Sequence, residues 1–273
     1  MSEFEYLKKH FSDTVFKDTG SKTVSVALDK AYADMSRRAN GHSETVKNAC
    51  KEWLKTEFST LPAKAADPSF DFDDWHCTTC DELTVKLNGA KAGFGTVGRA
   101  QKVINMAFKY LSCINGDYDW ILPHCHMTLD GYTLAWYKKS VMPWVKEQQN
   151  AQKPLLEAKD IVEWSKMTDA EDYRRIQANI RAYLKTAPKY SIKIGDKQTK
   201  AITLPTVPFE AEFVVWEGEI VKGKYDLLIK ELKKYAEKYR GVEAGRTKDA
   251  WIAGALFDDY LNEYCTKQLK KTS

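Results

Sequence analysis

The feature that most constrains the fold is a helical pattern that starts at a glycine-rich turn. From Val97 to Ile114, apolar residues recur every three or four positions. Gly93, Gly95 and Gly98 stand just before this pattern or at its first turn. We therefore predict a tight turn that leads into an amphipathic helix. Its polar arc carries Gln101, Lys102, Asn105 and Lys109.

In most of the remaining chain, apolar residues recur with helical spacing. The main exception is a short segment in which apolar and polar residues alternate. Residues 190–204 alternate around Gly195-Asp196, which predicts a β-hairpin. Residues 66–81 show neither the helical spacing nor the strand alternation of apolar residues, and are predicted to form a loop. Residues 211–216 are a candidate strand. Further helices are predicted at about 3–11, 21–38, 43–59, 131–146 with a kink at Pro143, 155–165, 168–185, 218–239 and 247–269.

These elements predict a mainly α protein of two helical lobes around a cleft, with a small β-hairpin appended. A chain of 273 residues is long enough for one large domain or for two lobes that share a core. We predict one compact unit over residues 1–273, in which the motif-bearing lobe spans about 85–187 and the β-hairpin about 189–216. The remaining helices form the second lobe.

Composition limits the class of protein and its surroundings. Hydrophobic residues make up 43% and charged residues 29% of the chain, which is typical of a folded globular protein. The net charge of +4 permits binding to nucleic acid without requiring it. No secretory signal and no run of about 18 apolar residues is visible, which predicts no membrane association. The six scattered cysteines favour a reducing, cytoplasmic location without disulfides.

A lysine and a carboxylate are placed so that two adjacent helix ends could bring them into one cleft. Lys102 lies on the helix after the glycine-rich turn, and Asp130 is the predicted N-cap of the helix that begins at Gly131. Such a pair can carry out amine and acid–base chemistry. The G-x-G-x-x-G spacing does not predict a dinucleotide site, because no strand precedes it and no βα alternation follows. Backbone N–H groups at the turn could instead bind a phosphate.

The sequence GFGTVGRAQKVI, from Gly93 to Ile104, and the later MTLD, which ends at Asp130, together resemble the helix-hairpin-helix DNA glycosylases. In that family a glycine-rich hairpin leads into a helix with a lysine, and an aspartate opens the next helix. Asp130 follows Lys102 by 28 residues, a long interval similar to that of the archaeal 8-oxoguanine glycosylases. A second similarity is to a phage-defence glycosylase that removes glucosylated hydroxymethylcytosine. The resemblance covers roughly 45 of the 273 residues.

The resemblance implies an enzyme that flips a modified or damaged base out of double-stranded DNA and cleaves its N-glycosidic bond. The base would be a hypermodified cytosine of phage DNA or an oxidised guanine, and no cofactor is implied. Asp130 would stabilise the positively charged sugar, and Lys102 would be the candidate amine of a Schiff base. Thr128 stands where the family usually has proline, and Ala100 is an alternative occupant of the lysine position. The lyase step is therefore implied less firmly than base excision.

Residues near the two motifs are candidates for contacts with DNA. Arg99, Lys102 and Lys109 recur on one side of the predicted helix, where they could face phosphates; Lys102 could have this role without any covalent step. The predicted phosphate contacts are Gly95, Gly98, Arg99, Lys109, Lys138 and Lys139. The candidates for the base pocket are His126, Trp136, Tyr132, Trp120 and Trp75.

Clusters of cysteine and histidine support an alternative interpretation. Their members are His76, Cys77, Cys80, His124, Cys125 and His126. They could hold a structural zinc. However, the cytidine-deaminase signature is missing, and buried cysteines with polar histidines beside the cleft are the simpler interpretation, so we predict no bound metal. The alternative function is a non-enzymatic nucleic-acid- or protein-binding module of a bacterial defence or regulatory system, with or without zinc.

Overall fold

The protein is mainly α, with two small antiparallel strand pairs, as the sequence predicts. We analysed a computed structural model, which describes residues 3–17, 22–36, 44–89, 91–114, 116–148, 161–194 and 197–238. The predicted helix at 247–269 and the start of the one predicted at 155–165 lie outside these residues. Within them, no helix is both long and apolar enough to cross a membrane.

The helices of the described residues are α1 (Glu3–Val15), α2 (Val24–Ser36), α3 (Glu44–Ala65), α4 (Phe72–Asn88), α5 (Val97–Leu111), α6 (Gly131–Trp136), α7 (Met142–Gln148), α8 (Ala170–Leu184) and α9 (Pro208–Lys238). Short 3₁₀ turns occur at Gly116–Tyr118, Leu122–His124 and Trp164–Lys166. The strands are β1 (Lys189–Tyr190), β2 (Lys193–Ile194), β3 (Lys197–Gln198) and β4 (Ile202–Thr203).

The chain divides into two compact units. The first comprises Met1–Pro188 and Leu204–Val215, and the second comprises Lys189–Thr203 and Trp216–Ser273. In the second unit, β1 pairs antiparallel with β4 and β2 pairs antiparallel with β3, which confirms the predicted hairpin pairing. Gly218 lies against this hairpin, because a side-chain carbon there would fall 2.3 Å from the Tyr190 hydroxyl.

Helix α5 is the central helix of the first unit and packs most extensively against α2 and α4. Thr96 caps its first turn, because the Thr96 side chain accepts a hydrogen bond from the Arg99 amide. Of its fifteen residues, all but Arg99 and Lys102 are buried. The amphipathic pattern is therefore misleading, since the polar arc of this helix faces other parts of the protein and not solvent.

Three predicted local structures are wrong. The described end of the helix predicted at 155–165 is not α-helical, because residues 161–163 are irregular and a 3₁₀ turn spans Trp164–Lys166. The other two have identifiable causes. Residues 66–81 are not a loop throughout, because α4 begins at Phe72, where the Asp71 carboxylate accepts a hydrogen bond of 2.9 Å from the Asp74 amide. Residues 211–216 are not a strand but belong to α9. Their run of large apolar residues resembles a strand because this part of α9 is buried on most sides.

The predicted irregularity near Pro143 takes a specific form. The helical stretch that begins at Gly131 continues through a π-helical turn at Tyr137–Val141 before α7 starts at Met142. Proline lacks a backbone donor, so a widened turn just before it accommodates the missing hydrogen bond. This turn carries Lys138 and Lys139.

Candidate active site

The first unit brings Lys102 and Asp130 together. The Nζ atom of Lys102 lies 3.9 Å from Oδ2 of Asp130, and the two side chains are 13% and 12% exposed. Lys102 projects from the second turn of α5, whereas Asp130 precedes the first residue of α6. The pair is thus largely shielded from water but still reachable from it.

Asp130 also caps α6, so its position is fixed by local hydrogen bonds. Its Oδ1 atom accepts from the amides of Tyr132, at 2.9 Å, and Thr133, at 3.1 Å. In return, the Asp130 amide donates to the Thr133 hydroxyl at 2.8 Å, which completes a capping box. The structural and the chemical interpretation of Asp130 are therefore compatible, because one carboxylate oxygen caps the helix and the other faces Lys102.

Trp164 lies next to this pair, although no sequence pattern indicated it. The Nζ atom of Lys102 lies 4.4 Å from the centre of the Trp164 ring, within the range of a cation–π contact. The ring is only partly buried. Lys102 is thus bordered by a carboxylate and an aromatic ring.

The backbone around Trp164 is held tightly against the start of α5. The Gly98 amide donates to the Met167 carbonyl at 2.9 Å, and the Thr96 hydroxyl donates to the Ser165 carbonyl at 3.1 Å. A side-chain carbon on Gly98 would lie 1.5 Å from the Trp164 carbonyl oxygen, so only glycine permits this approach. Gly98, the last glycine of the G-x-G-x-x-G motif, therefore allows the backbone at Trp164 to pack directly against the start of α5.

A polar network that is buried except at Asp73, whose side chain is 41% exposed, adjoins the segment that leads to Asp130. It consists of Asp73, His76, Gln101, Asn105, His126 and Tyr173. His126 Nε2 lies 2.8 Å from Asp73 Oδ1, and His126 Nδ1 lies 2.7 Å from the Tyr173 hydroxyl. The Asn105 amide group donates to that hydroxyl at 3.1 Å and to Gln101 Oε1 at 3.0 Å, while its Oδ1 atom lies 2.8 Å from His76 Nε2.

Burial keeps the rings of this network neutral. It holds the pKa of His76 well below its ordinary value and raises the pKa of Tyr173 well above its own. Burial also lowers the pKa of His126, although the hydrogen bond to Asp73 opposes that effect. For Asp73, burial would raise the pKa, but hydrogen bonds from His126 and Arg181 outweigh it and lower the pKa. With neutral rings, every hydrogen bond of the network has one donor and one acceptor.

The structure corrects three of the predicted phosphate contacts. Gly95 and Gly98 are buried, and their amides are bound inside the protein, to Asn88 Oδ1 at 2.8 Å and to the Met167 carbonyl. Lys109 is 1% exposed and forms a 2.8 Å ion pair with Glu212. None of the three is available to a phosphate, because a buried and already bonded group has no surface to offer.

The other predicted phosphate contacts remain at least partly accessible. Arg99 is partly exposed, and its guanidinium lies over the Phe94 ring at 4.4 Å and donates to the Phe94 carbonyl. Burial lowers the pKa of Arg99. Lys138 donates to the Ile161 carbonyl at 2.9 Å, and Lys139 is exposed. Together with Lys102, these three cations remain from the predicted phosphate contacts.

The predicted base-pocket residues separate into buried and exposed groups. Trp75, His126 and Trp136 are 9%, 1% and 1% exposed, so they are part of the core and cannot contact a base in this conformation. Both ring nitrogens of His126 are bonded within the network. Trp120 and Tyr132 are exposed, at 43% and 39%, and Tyr132 belongs to the first turn of α6, two residues after Asp130.

The cysteine and histidine clusters approach each other at His76 and His126, whose ring centres are 4.4 Å apart. Among the described residues, no group of three or more histidine, cysteine or acidic side chains is arranged to hold a metal ion. The sulfur of Cys77 accepts from Arg174 Nε at 3.1 Å, and Cys80 Sγ lies 3.5 Å from His76 Nδ1. His124 is exposed, whereas Cys125 is buried.

Comparisons with known proteins add no relative to this description. The chain matches no protein-family model, no curated protein and no solved structure.

Proposed function

We propose that the protein is a DNA glycosylase that removes a modified or damaged base from double-stranded DNA. The observation that carries the proposal is the 3.9 Å contact between Lys102 Nζ and Asp130 Oδ2. An amine and a carboxylate at this distance, shielded but reachable, are the two groups that this chemistry needs. The resemblance of the GFGTVGRAQKVI and MTLD segments to the helix-hairpin-helix glycosylases gives the reaction class.

In the proposed reaction, Asp130 acts on the sugar. As the N-glycosidic bond breaks, its electron pair leaves with the base, and positive charge develops on the sugar ring. The Asp130 carboxylate stabilises that charge from a site where little water competes with it. A water molecule then adds to the sugar carbon and gives up a proton, and the base takes up a proton. The products are a free base and an abasic site.

Lys102 has two possible roles beside Asp130. As a neutral amine it would attack the same sugar carbon, expel the base and form a Schiff base after the sugar ring opens. As an ammonium it would bind a phosphate and position the DNA. The Trp164 ring lies 4.4 Å from the Lys102 Nζ atom, a cation–π geometry that an ammonium uses and a neutral amine does not. We therefore propose the positioning role as the principal one.

Trp164 is the proposed stacking surface for the extruded base. It is partly exposed, adjacent to Lys102 and held on a fixed backbone, whereas Trp75 and Trp136 are buried. Stacking on an aromatic side chain contributes about 1–3 kcal/mol per base. Arg99, Lys138 and Lys139 are the proposed contacts to the DNA backbone.

The test is to incubate the protein with duplexes that each contain one base, namely glucosylated hydroxymethylcytosine, 8-oxoguanine, uracil or unmodified cytosine. Abasic sites and released bases are quantified, and Asp130→Asn serves as the control for a contaminating enzyme. We expect release of one modified base by the wild-type protein only. DNA binding without any base release across the set would instead support the non-enzymatic alternative, and zinc analysis of the same sample would test its metal-stabilised form.

A further inference from the structure

The segment that leads into Asp130 is bonded mainly by side chains. Residues 125–129 belong to no helix or strand, although the backbone is extended at Cys125 and again at Asp130. Gln177 of α8 bonds both backbone groups of Met127: its Nε2 atom donates to the carbonyl at 2.7 Å, and its Oε1 atom accepts from the amide at 3.2 Å. The amide of the next residue, Thr128, donates to Glu212 at 2.7 Å.

Gln101 of α5 bonds Leu129 in the same way. Its Nε2 atom donates to the Leu129 carbonyl at 2.7 Å, and its Oε1 atom accepts from the Leu129 amide at 3.1 Å. Gln101 directly precedes Lys102, and Leu129 directly precedes Asp130. One side-chain amide therefore joins the two backbone positions next to the paired charges.

The orientation of the Gln101 amide is fixed by its other partners. Its second Nε2 hydrogen is donated to the Gly98 carbonyl at 2.8 Å, and its oxygen also accepts from Asn105 at 3.0 Å. Gln101 is fully buried, so reversing the amide would bring donors against donors with no water to relieve them. The buried polar network thus ends in a side chain with only one satisfied orientation.

We propose that Gln101 is a positioning residue that sets the separation between Lys102 and Asp130. A glutamine is required because it offers a donor and an acceptor at once, as a peptide group does. Methionine has a similar length but would leave the Leu129 amide and carbonyl without this partner. The geometric part of this inference stands on the hydrogen bonds alone, whereas its catalytic meaning rests on the proposed glycosylase function.

Gln177 offers a matched control. It is 1% exposed against 0% for Gln101, and it makes the same two bonds to a residue of the same segment. Met127, however, is two positions further from Asp130, and Gln177 does not lie on the helix that carries Lys102. Gln101 makes two further bonds, to Gly98 and Asn105, so Gln101→Met should cost more stability than Gln177→Met whatever its role. A purely structural role predicts that both variants, once folded, keep the Lys102–Asp130 contact. A positioning role predicts that Gln101→Met loses this contact and Gln177→Met keeps it.

The experiment is zero-length cross-linking with a carbodiimide, which joins an amine to a carboxylate only when the two are in contact. The Lys102–Asp130 product is quantified by mass spectrometry against the Lys55–Glu52 product of α3, whose atoms are 2.7 Å apart. We expect Gln101→Met to reduce the Lys102–Asp130 yield about fivefold or more, because displacements near 1 Å disrupt reactive contacts. We expect Gln177→Met to stay within about twofold of the wild-type protein.

Activity is then measured on the same samples. Gln101→Met should lower kcat by roughly tenfold to a hundredfold while KM rises only slightly, because Lys102 is displaced but the proposed contacts of Arg99, Lys138 and Lys139 with the DNA backbone are retained. If Gln101→Met does not fold, Gln101→Glu keeps the shape and the acceptor oxygen and should give an intermediate cross-linking yield. Equal yields in the two methionine variants, or no Lys102–Asp130 product in the wild-type protein, would overturn the proposal. A normal cross-linking pattern with no base release would refute only the glycosylase function.

Discussion

Two lysines of helix α5, seven positions apart, each face a carboxylate, yet their surroundings differ. Lys109 and Glu212 are 1% and 2% exposed and 2.8 Å apart, whereas Lys102 and Asp130 are 13% and 12% exposed and 3.9 Å apart. Two phenylalanine rings, Phe11 and Phe213, lie within 5.1 Å and 4.5 Å of the Lys109 ammonium. By sequence alone the two lysines are equivalent members of one polar arc.

The difference teaches how a structural ion pair can be told from a candidate reactive one. The Lys109–Glu212 pair is closed, because Glu212 also accepts from the Thr128 amide and both side chains are almost fully shielded from solvent. The Lys102–Asp130 pair is longer and partly open, so a substrate can approach it without first breaking a buried bond. Glu212 therefore holds the segment that leads to Asp130, whereas Lys102 lies beside the Asp130 carboxylate.

The largest expected effect is a loss of stability when the buried Lys109–Glu212 pair is broken. Lys109→Met leaves the Glu212 carboxylate buried without its cation, which should lower the free energy of unfolding by about 3–5 kcal/mol. Urea unfolding measures this loss. The double variant Lys109→Met, Glu212→Gln should recover much of it, because both charges are removed. A loss below about 1 kcal/mol combined with weaker DNA binding would make Lys109 a phosphate contact after all.

The next effect is on activity at the open pair. Asp130→Asn keeps a good N-cap for α6, so stability should change little. Base release should fall about a hundredfold or more, because the charge that stabilises the sugar is lost. The comparison is made by single-turnover assays on the susceptible duplex. Base release at the wild-type rate in a folded Asp130→Asn protein would remove this residue from the mechanism.

A smaller effect is expected where the Trp164 segment meets α5. Gly98→Ala should cost roughly 1–3 kcal/mol, because the added carbon overlaps the Trp164 carbonyl and must displace it. Base release should also fall as Trp164 moves away from Lys102. Gly131→Ala is the matched control, since no heavy atom lies within 4 Å of the added carbon there and stability should be nearly unchanged. Similar melting temperatures for the two alanine variants would refute the proposed packing role of Gly98.

The smallest expected effect on stability is at Lys102 itself. Lys102→Gln should change the free energy of unfolding by roughly 0.5 kcal/mol or less, since the residue is partly exposed and Asp130 keeps its backbone partners. The role of Lys102 is determined by DNA-binding and borohydride-trapping experiments. With a positioning role, binding should weaken and the salt dependence should fall by about one ion. A covalent adduct that borohydride traps in the wild-type protein, and that disappears in Lys102→Gln, would instead establish the Schiff base.

Local signals in the sequence were sufficient for several elements. The spacing of α5, the capping role of Asp130 and the antiparallel pairing of β2 with β3 each depend on residues a few positions apart, and the described residues agree with all three predictions. The turn predicted at Gly195-Asp196 itself lies outside the described residues. The loop predicted over residues 66–81 failed because the N-cap Asp71 is a single residue inside an acidic stretch, which conceals the start of α4.

The sequence by itself determined most of the described helices, the acidic cap before α6 and the placement of a lysine and a carboxylate near two helix ends. Only the tertiary structure decided which polar residues of α5 face inward, because that depends on partners distant in the chain. Glu212, the partner of Lys109, lies 103 residues away, and the Trp164–Met167 segment that covers Gly98 comes from beyond α7. Hydrophobic periodicity shows that one face of a helix is polar, but whether that face is buried depends on what packs against it. A buried polar face also needs hydrogen-bond partners, which no local sequence pattern specifies.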